Sequence, residues 1–369
     1  MLLRSHASIH NYIGSSQDIC KQIIDKCWNG TYFQTSAGHF SAFYCRDFGM
    51  CAQSLINLGY EDQVKQTLTW ALDIFSRHDK ITTTITNDGE PIDVFSYGVD
   101  SLPFLLHALQ IINDRALIEK YKPFLEKQTI FYFHTVFDKS KNLVKESGEF
   151  SSIKDNYVRK SSCYDNCMVG WLLSTLKKLK YDAPFQSRQS SQSRKINSTP
   201  LTAAYMRAQI KKNFWQGTFF KDDLYSDIAS GDAQVFPFYT GLFNPTKDKH
   251  MWILAKAAIE QQSLDVPFPL KYTATHDKGK ELFLPSILAP NYEGTAIWLH
   301  LGLCYLTVLT HVDKKVAEKY LSRYARHIQE HQNFLEVFDE HANPYRTLFY
   351  QSDESMLWAA IYLDLVKNN

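Results

Sequence analysis

The sequence lacks the marks of several common protein classes. Its 40 lysine and arginine residues nearly balance 39 aspartate and glutamate residues, which leaves a net charge of +1 over 369 residues. A protein that binds nucleic acid normally carries a strongly basic face, so we expect no nucleic-acid partner. No run of eighteen apolar residues is present, and the first eleven residues hold no apolar stretch of secretory-signal length. We therefore expect neither a membrane span nor a signal peptide.

Cysteine and histidine also lack the spacings of a disulfide framework or a metal centre. The seven cysteines are an odd number in a long chain. Cys163 and Cys167 lie four residues apart without an accompanying histidine cluster, and His327 and His331 fall on a charged helix face that we expect to be solvated. We therefore expect no metal and no other cofactor. We interpret the cysteines as reduced, buried thiols, which favours a cytoplasmic location.

Two common catalytic motifs are missing as well. The chain contains no glycine-rich phosphate loop and no Gly-Xaa-Ser-Xaa-Gly nucleophile elbow. It is instead rich in apolar and aromatic side chains. Hydrophobic residues make up 44% of the chain, and 21 tyrosines and 24 phenylalanines bring the aromatic content to 14%. Such a composition can fill a large core and still line a cleft with aromatic rings.

Helical periodicity dominates the chain, with about twelve predicted helices of two alternating kinds. Residues 101–112 and 166–179 are apolar nearly all round, which is typical of helices that are buried on every side. Residues 115–137 and 314–332 have one charged face, which is typical of helices that meet water. The alternation predicts six helix hairpins arranged in a ring, an all-α (α/α)6 barrel with a buried inner ring and an outer ring.

We expect the barrel to be a single domain over residues 1–369, because no linker divides the chain. Two insertions stand out. Residues 81–94 are rich in threonine and contain Asn-Asp-Gly, which predicts a short β-hairpin. Residues 186–199 consist mainly of serine, glutamine, arginine and lysine, which predicts a mobile loop on the rim.

Six short segments, polar and rich in aromatic residues, each precede a predicted inner helix. Because the inner helices of such a barrel begin at the same end, these segments predict one mouth lined with carboxylates and aromatic rings. Such a mouth suits a sugar ring. The segments are Arg46-Asp47-Phe48-Gly49, Tyr97-Gly98-Val99-Asp100-Ser101, Tyr164-Asp165-Asn166, Gly231-Asp232-Ala233-Gln234, Asn291-Tyr292-Glu293-Gly294 and Tyr350-Gln351-Ser352-Asp353.

Hydrolysis of a glycosidic bond needs two carboxyl groups. One protonates the leaving oxygen, and the other attacks the sugar or activates water. Eight acidic residues lie in suitable segments, and composition alone does not choose among them. They are Asp47, Asp100, Asp155, Asp165, Asp232, Glu293, Glu336 and Asp353.

The order of these segments resembles that of the six-hairpin glycosidases, which include neutral invertases, glucoamylases, trehalases and amylo-α-1,6-glucosidases. Cys45-Arg46-Asp47-Phe48-Gly49 resembles the start of their first inner helix, and Val99-Asp100-Ser101 resembles the segment that bears the general acid in neutral invertases. Residues 334–339, Phe-Leu-Glu-Val-Phe-Asp, resemble Trp-Pro-Glu-Tyr-Tyr-Asp, the segment that bears the base. In order and spacing the resemblance covers about residues 40–366.

The resemblance implies an inverting, exo-acting glycoside hydrolase that cleaves α-glucosidic bonds of oligosaccharides or disaccharides, with a carbohydrate as its binding partner. Asp100 would be the general acid and Glu336 the general base, with their carboxyl groups ~6.5–9.5 Å apart. Arg46 and Asp47 would bind sugar hydroxyls. The other residues that the resemblance places in the substrate site are the polar Asp165 and Glu293 and the rings of Phe48, Tyr97, Tyr164, Tyr292 and Trp298.

Three departures from the family's pattern fall where the pocket is shaped. Leu335 stands in place of a proline, Phe334 in place of a tryptophan, and Tyr292-Glu293 in place of small residues. The sugar and the linkage therefore stay open at this point, and so does the oligomeric state.

Each assignment also has an alternative. Asp100 could only cap its helix, Arg46 and Asp47 could form a structural ion pair, and Glu293 could be the base.

Two other functions stay open on the same barrel. Sugar 2-epimerases of the renin-binding type use paired histidines as acid and base, for which His39, His107 and His300 are the candidates. A barrel without activity would instead bind a glycan or a protein partner, with residues 186–199 as the contact.

Overall fold

The structure, a computed structural model, describes residues 10–148, 150–181 and 200–368. The loop predicted at 186–199 lies outside the described residues. Thirteen helices are found in the described part of the chain. In chain order they are α1 (Ser16–Cys27), α2 (Cys45–Asn57), α3 (Glu61–Arg77), α4 (Ser101–Ile112), α5 (Arg115–Val136), α6 (Cys163–Leu179), α7 (Ala203–Phe214), α8 (Gly231–Tyr239), α9 (Lys249–Gln261), α10 (Phe283–Leu288), α11 (Leu299–Val312), α12 (Lys314–His331) and α13 (Ala359–Asn368).

Six helices form a closed inner ring. Helices α2, α4, α6, α8, α11 and α13 each contact the next, and α13 returns to contact α2. Each inner helix also packs on an outer helix of its own, and these partners in the same order are α3, α5, α7, α9, α12 and α1. Helices α4 and α13 also contact the neighbouring outer helices α3 and α12. This arrangement confirms the predicted all-α (α/α)6 barrel.

The sequence pattern explains which helices lie inside. Helix α4 buries eight of its 12 residues, because its side chains are apolar nearly all round. Helix α12 buries only Ala317, Tyr320, Tyr324 and Ile328 of its 18 residues. These four are spaced three or four residues apart and therefore form one stripe that faces the inner ring.

Seven strands of two residues each lie between helices in the described part of the chain. They are β1 (Phe43–Tyr44), β2 (Thr84–Ile85), β3 (Pro91–Ile92), β4 (Phe137–Asp138), β5 (Leu143–Val144), β6 (Ile297–Trp298) and β7 (Val337–Phe338). Strands β2 and β3 pair in antiparallel fashion, which confirms the hairpin predicted within residues 81–94. Strand β1 pairs with β2 and so attaches this hairpin to the start of α2.

The apolar pattern predicts that the fifth and sixth inner helices begin at residues 294 and 353, but both begin later. Helix α11 begins at Leu299 rather than residue 294, because β6 pairs with β7 just before it. Helix α13 begins at Ala359 rather than residue 353. The residues before it extend along the N-terminal part of the chain, with Leu357 N donating to Thr35 O at 2.9 Å. In both cases the predicted first helical turn instead forms extended main-chain hydrogen bonds with a segment distant in sequence. Local periodicity does not reveal such pairing. Helix α10 is not among the predicted helices.

Several chemical expectations can be compared with the described residues. All seven cysteines are buried and unpaired. Within the described ranges, no group of three or more histidine, cysteine, aspartate or glutamate side chains could hold a metal ion. No helix there combines the length and the apolar character needed to cross a membrane.

Candidate active site

Arg46, in the first turn of α2, lies among three carboxylates from different segments. Its Nη1 lies 3.4 Å from Asp100 Oδ2, its Nη2 lies 3.5 Å from Asp155 Oδ2, and its Nε lies 3.9 Å from Asp47 Oδ2. Nη1 also donates to the carbonyl oxygen of Ser152. The arginine therefore joins the starts of α2 and α4 to the loop at 151–155. It is not the simple Arg46–Asp47 pair that was one alternative, because the Asp47 contact is the longest of the three.

Asp100 stands at the N-cap position of α4, yet its side chain makes no capping hydrogen bond. Its Oδ2 instead accepts from Tyr164 Oη at 2.9 Å and from Arg46. The residue is 2% exposed. Burial raises the pKa of Asp100 to about 6, although Arg46 opposes the rise. Because the capping bond is not made, a role as a helix cap does not explain this buried carboxyl.

Glu336 is held by the pairing of β6 with β7, which follows it directly in the chain. It is 3% exposed. Its Oε2 accepts from Tyr350 Oη at 2.6 Å and from Asp353 N at 3.0 Å, and its Oε1 accepts from Tyr292 Oη. Burial raises the pKa of Glu336 to about 7, while the positive charge of His39 opposes the rise. The carboxyl therefore has a fixed orientation and a proton affinity near neutrality.

Tyr292, Tyr350 and Glu336 form a triangle, since the two phenolic oxygens are also 2.8 Å apart. When Glu336 is ionised, both phenolic hydrogens point at its oxygens. When it carries a proton, three hydrogens are available for three contacts, and the triangle can close as a ring of hydrogen bonds. Both protonation states are therefore hydrogen-bonded, which suits a group that takes up and releases a proton.

A row of aromatic side chains connects Asp47 with this triangle. Trp358 Nε1 donates to Asp47 Oδ1 at 2.9 Å, and the Trp358 ring lies 4.6 Å from that of His300. The His300 ring lies 5.0 Å from Trp298, whose Nε1 donates to the carbonyl oxygen of Tyr292 at 2.7 Å. Asp47 and the carboxyl of Glu336 are thus linked by one wall of packed rings.

Glu293, an alternative candidate for the base, holds a turn of the backbone. Its Oε1 accepts from Asp155 N at 2.9 Å, and its Oε2 accepts from Asn156 N at 2.6 Å. Burial raises the pKa of Glu293 to about 8. Because both oxygens are engaged by the turn that carries Asp155, Glu293 is placed to position that residue beside Arg46.

A buried charged cluster supports the same loop from behind. Arg159 Nη1 lies 2.6 Å from Asp232 Oδ2 and 3.3 Å from Asp222 Oδ1, while its Nη2 donates to Ser152 Oγ at 2.9 Å. Ser152 therefore connects two guanidinium groups, since its carbonyl oxygen accepts from Arg46. The second guanidinium is not predicted from the sequence, because Arg159 lies outside the six motifs.

Asp165 lies in the first turn of α6 and is 4% exposed. Its Oδ1 has no hydrogen-bond partner in the described part of the chain. Burial raises the pKa of Asp165 to about 6, and Arg159 opposes the rise.

Two of the rings expected to stack on a sugar pack elsewhere. Phe48 is 1% exposed, and its ring lies 5.4 Å from that of Phe43 in the core. Tyr97 packs against Phe131 and Tyr132 of the outer helix α5. The sequence predicts both near the mouth, but the direction of a side chain at a helix start depends on neighbours that local sequence does not show.

The three histidines expected of an epimerase are not paired with one another. The His300 ring lies against Trp298 and Trp358, and burial holds the pKa of His300 well below its usual value. His107 packs on Trp171, and burial lowers the pKa of His107 to about 4. His39 Nδ1 lies 3.0 Å from Asp353 Oδ1 instead.

The comparisons with known proteins agree with this architecture. No model of a known protein family matches the chain, and no curated protein sequence matches it either. Three solved structures illustrate what it is similar to. A glycosidase variant in complex with glucose is 13% identical, with 95% of this chain and 96% of that chain covered and a TM-score of 0.64.

A rhamnosidase from Klebsiella oxytoca with rhamnose bound is 12% identical, with 98% of this chain and 65% of that chain covered and a TM-score of 0.62. A GH63 mannosylglycerate hydrolase from Thermus thermophilus, in complex with Tris, is 11% identical, with 95% of this chain and 100% of that chain covered and a TM-score of 0.61. The chain therefore shares the fold of these glycosidases, as its resemblance to six-hairpin glycosidases predicts.

Proposed function

We propose that this protein is an inverting, exo-acting glycoside hydrolase that cleaves α-glucosidic bonds of oligosaccharides or disaccharides. The observation that carries the proposal is the environment of two buried carboxyls, Asp100 and Glu336. Burial raises the pKa of Asp100 to about 6 and the pKa of Glu336 to about 7, and Asp100 makes no capping bond to its helix. The glycosidase fold and the glucose complex of one similar structure support the choice of reaction and sugar.

Asp100 is the proposed general acid. It gives its proton to the glycosidic oxygen as the bond to the anomeric carbon breaks. The carboxylate that is left accepts hydrogen bonds from Tyr164 and Arg46 through Oδ2. No described residue donates to Oδ1, so this oxygen is the one we assign to the leaving group. The charge of Arg46 stabilises the carboxylate that forms during the step.

Glu336 is the proposed general base. It takes a proton from a water molecule as that water attacks the anomeric carbon from the face opposite the leaving group. Tyr292 and Tyr350 then close the ring of hydrogen bonds around the protonated carboxyl. The configuration at the anomeric carbon is inverted in this step, which requires the two carboxyls to stand ~6.5–9.5 Å apart with room for the water.

The substrate contacts that we propose are drawn from the same wall. Arg46 and Asp47 bind hydroxyls of the sugar, Tyr292 and Trp298 supply ring surfaces, and Asp165 and Glu293 belong to the surrounding polar groups. The ring of Tyr164 is fully buried, so this residue acts through its hydroxyl on Asp100. Phe48 and Tyr97 are not included, because their rings pack in the core and on α5. The buried, unpaired cysteines support the further proposal of a cytoplasmic location.

The test is the stereochemistry of the product. The protein is incubated with a panel of nitrophenyl glycosides and natural disaccharides, and the first anomer released is followed by NMR. We expect an α-glucoside to be hydrolysed with β-glucose as the first product.

Three results would overturn all or part of the proposal. Release of α-glucose first would contradict inversion. Conversion of one free monosaccharide into another would favour the epimerase. Calorimetric binding of a sugar without turnover would favour a binding protein. No arrangement of His39, His107 and His300 favours the epimerase in the structure, since the three contact different partners.

A further inference from the structure

His39 lies beside the two groups that hold one oxygen of Glu336. Its Nδ1 lies 3.0 Å from Asp353 Oδ1, and Asp353 N donates to Glu336 Oε2. Its ring meets the edge of Tyr350 at 5.5 Å, and Tyr350 Oη donates to the same Oε2. His39 therefore touches both partners of Glu336 Oε2 without contacting the carboxyl itself.

The segment that carries His39 is fastened to Asp353 by its backbone. Asp353 accepts from His39 N at 2.8 Å, from Phe40 N at 2.9 Å and from Ser36 Oγ. A Cβ on Gly38 would collide with the Asp353 carboxylate, so glycine permits this close approach. The position of the imidazole relative to Asp353 is thus fixed by main-chain bonds as well as by its own contact.

The charged groups around the imidazole are nearly all acidic. Asp353, Glu336 and Glu354 face it, and the remaining ring neighbours are Phe40 and Tyr350. Burial lowers the pKa of His39, but the bond to Asp353 and these charges outweigh it, so the pKa lies above its usual value. Around Glu336 the facing groups are His39, Asp353, Tyr292 and Tyr350. His39 is thus the cation that opposes the effect of burial on Glu336.

We infer that His39 is a positioning residue for the general base, acting through Asp353 and Tyr350 to keep Glu336 oriented and ionised. The inference rests on the proposed function, since it assigns His39 a part in the same reaction. It differs from the epimerase role, in which a histidine itself exchanges a proton with the sugar.

The experiment compares His39→Gln with a matched control, His10→Gln. His10 Nδ1 contacts the neighbouring carboxylate, Glu354 Oε1, at 2.7 Å and is similarly exposed, with 47% of the side chain accessible against 38% for His39. Removing the His39 charge raises the pKa of Glu336, so less of the base is ionised, and kcat should fall about tenfold at acid pH but approach the wild-type value at alkaline pH. KM should change little. His10→Gln should leave the profile in place.

A second measurement does not depend on turnover. Coupling between two titrating groups is reciprocal, so the variant Glu336→Gln should lower the pKa of His39, followed by NMR of the imidazole and assigned with His39→Gln. An unchanged His39 titration in Glu336→Gln, or a His39→Gln profile that coincides with wild type, would overturn the inference. Failure of the proposed function looks different, because the wild-type protein would then release no sugar or Glu336→Gln would retain full activity.

Discussion

The two proposed catalytic carboxyls are buried to the same degree but have different surroundings. Asp100 lies directly beside a guanidinium group, with one phenol as its other partner. Glu336 has three uncharged donors on its oxygens, and the cation that opposes its rise in pKa, His39, contacts Asp353 and Tyr350 instead of the carboxyl.

This difference in hydrogen-bond donors shows how one fold can suit one carboxyl to act as an acid and the other to act as a base. An arginine in contact stabilises the charge that Asp100 acquires when it loses a proton, which suits an acid. The tyrosine hydroxyl groups can rotate and therefore hydrogen-bond Glu336 in both its ionised and its protonated state. This suits a base that must lose its proton again after each turnover. Burial raises the pKa of both groups, so their partners decide the roles.

The largest effects are expected when each of the two carboxyls is removed in turn, which tests the difference in their roles. Asp100→Asn and Glu336→Gln should each lower kcat/KM on natural α-glucosides by roughly 10²–10⁴-fold. On α-glucosyl fluoride the results should separate, because fluoride leaves without protonation. Asp100→Asn should then recover much of its activity, and Glu336→Gln should not.

The matched controls are Asp62→Asn and Glu318→Gln, which alter exposed carboxyls on α3 and α12. Both should behave as wild type. If the two catalytic variants lost activity equally on fluoride and on natural glucosides, the division into acid and base would be wrong.

The contact between Arg46 and Asp100 can be tested next. Arg46→Met should lower kcat/KM roughly a hundredfold, since a charge that stabilises the developing carboxylate is lost. Arg46 also lowers the pKa of Asp100, so its removal should move the descending limb of the pH profile to higher pH. Arg207→Met, which breaks the Arg207–Asp248 pair on the outer ring, is the control. A descending limb that stays in place or moves to lower pH would count against this contact.

The phenolic donors to Glu336 should have a smaller effect. Tyr292→Phe and Tyr350→Phe each remove one hydrogen bond to a charged acceptor, which should lower kcat about tenfold. Loss of the Tyr292 donor should also raise the pKa of Glu336, so the loss of kcat should be larger at acid pH than at alkaline pH. Tyr345→Phe is a matched control, because Tyr345 packs on the same rings but donates to the carbonyl oxygen of Pro290 at 2.6 Å. Equal effects in all three variants would show that ring packing, not hydrogen bonding, is being measured.

The smallest expected effect concerns stability. The pKa of Glu293 is raised from 4.5 to about 8 in the folded protein, so the folded state binds this proton more tightly than the unfolded chain does. Its contribution is fully present below the unfolded pKa and is lost as pH rises through about 8. The Tm of wild type should therefore fall between about pH 5 and pH 8 more than that of Glu293→Gln, as measured by calorimetry. Glu318→Gln should follow wild type, and parallel Tm curves for wild type and Glu293→Gln would contradict the assignment.

Much of the architecture could be predicted from the sequence because it depends on local pattern. The bounds of α4 agree with the predicted ones and those of α12 differ by one residue, since a helix buried all round and one with a single apolar stripe are both visible in the order of apolar residues. The late starts of α11 and α13 were not predictable in this way. They depend on pairing with Val337–Phe338 and with residues 35–37, which are distant along the chain.

The residues of the candidate site also divide into those that local sequence pattern reveals and those that depend on distant contacts. The motifs contain Arg46, Asp100 and Tyr350, because polar residues at the start of an apolar helix are conspicuous. Which rings turn toward Glu336 and which toward the core is decided by packing across the barrel. The sequence therefore did not separate Tyr292 from Phe48, and it did not reveal Arg159 or the role proposed for His39.

The central claim, that Asp100 and Glu336 act on one sugar from opposite faces, is tested most directly by a crystal structure of the Glu336→Gln variant with an intact α-glucoside. We predict that the glycosidic oxygen lies within hydrogen-bond reach of Asp100 Oδ1. We also predict that the side chain at position 336 stands ~6.5–9.5 Å from Asp100, across the anomeric carbon. A sugar bound elsewhere, or the two side chains only ~5 Å apart as in retaining enzymes, would contradict the account.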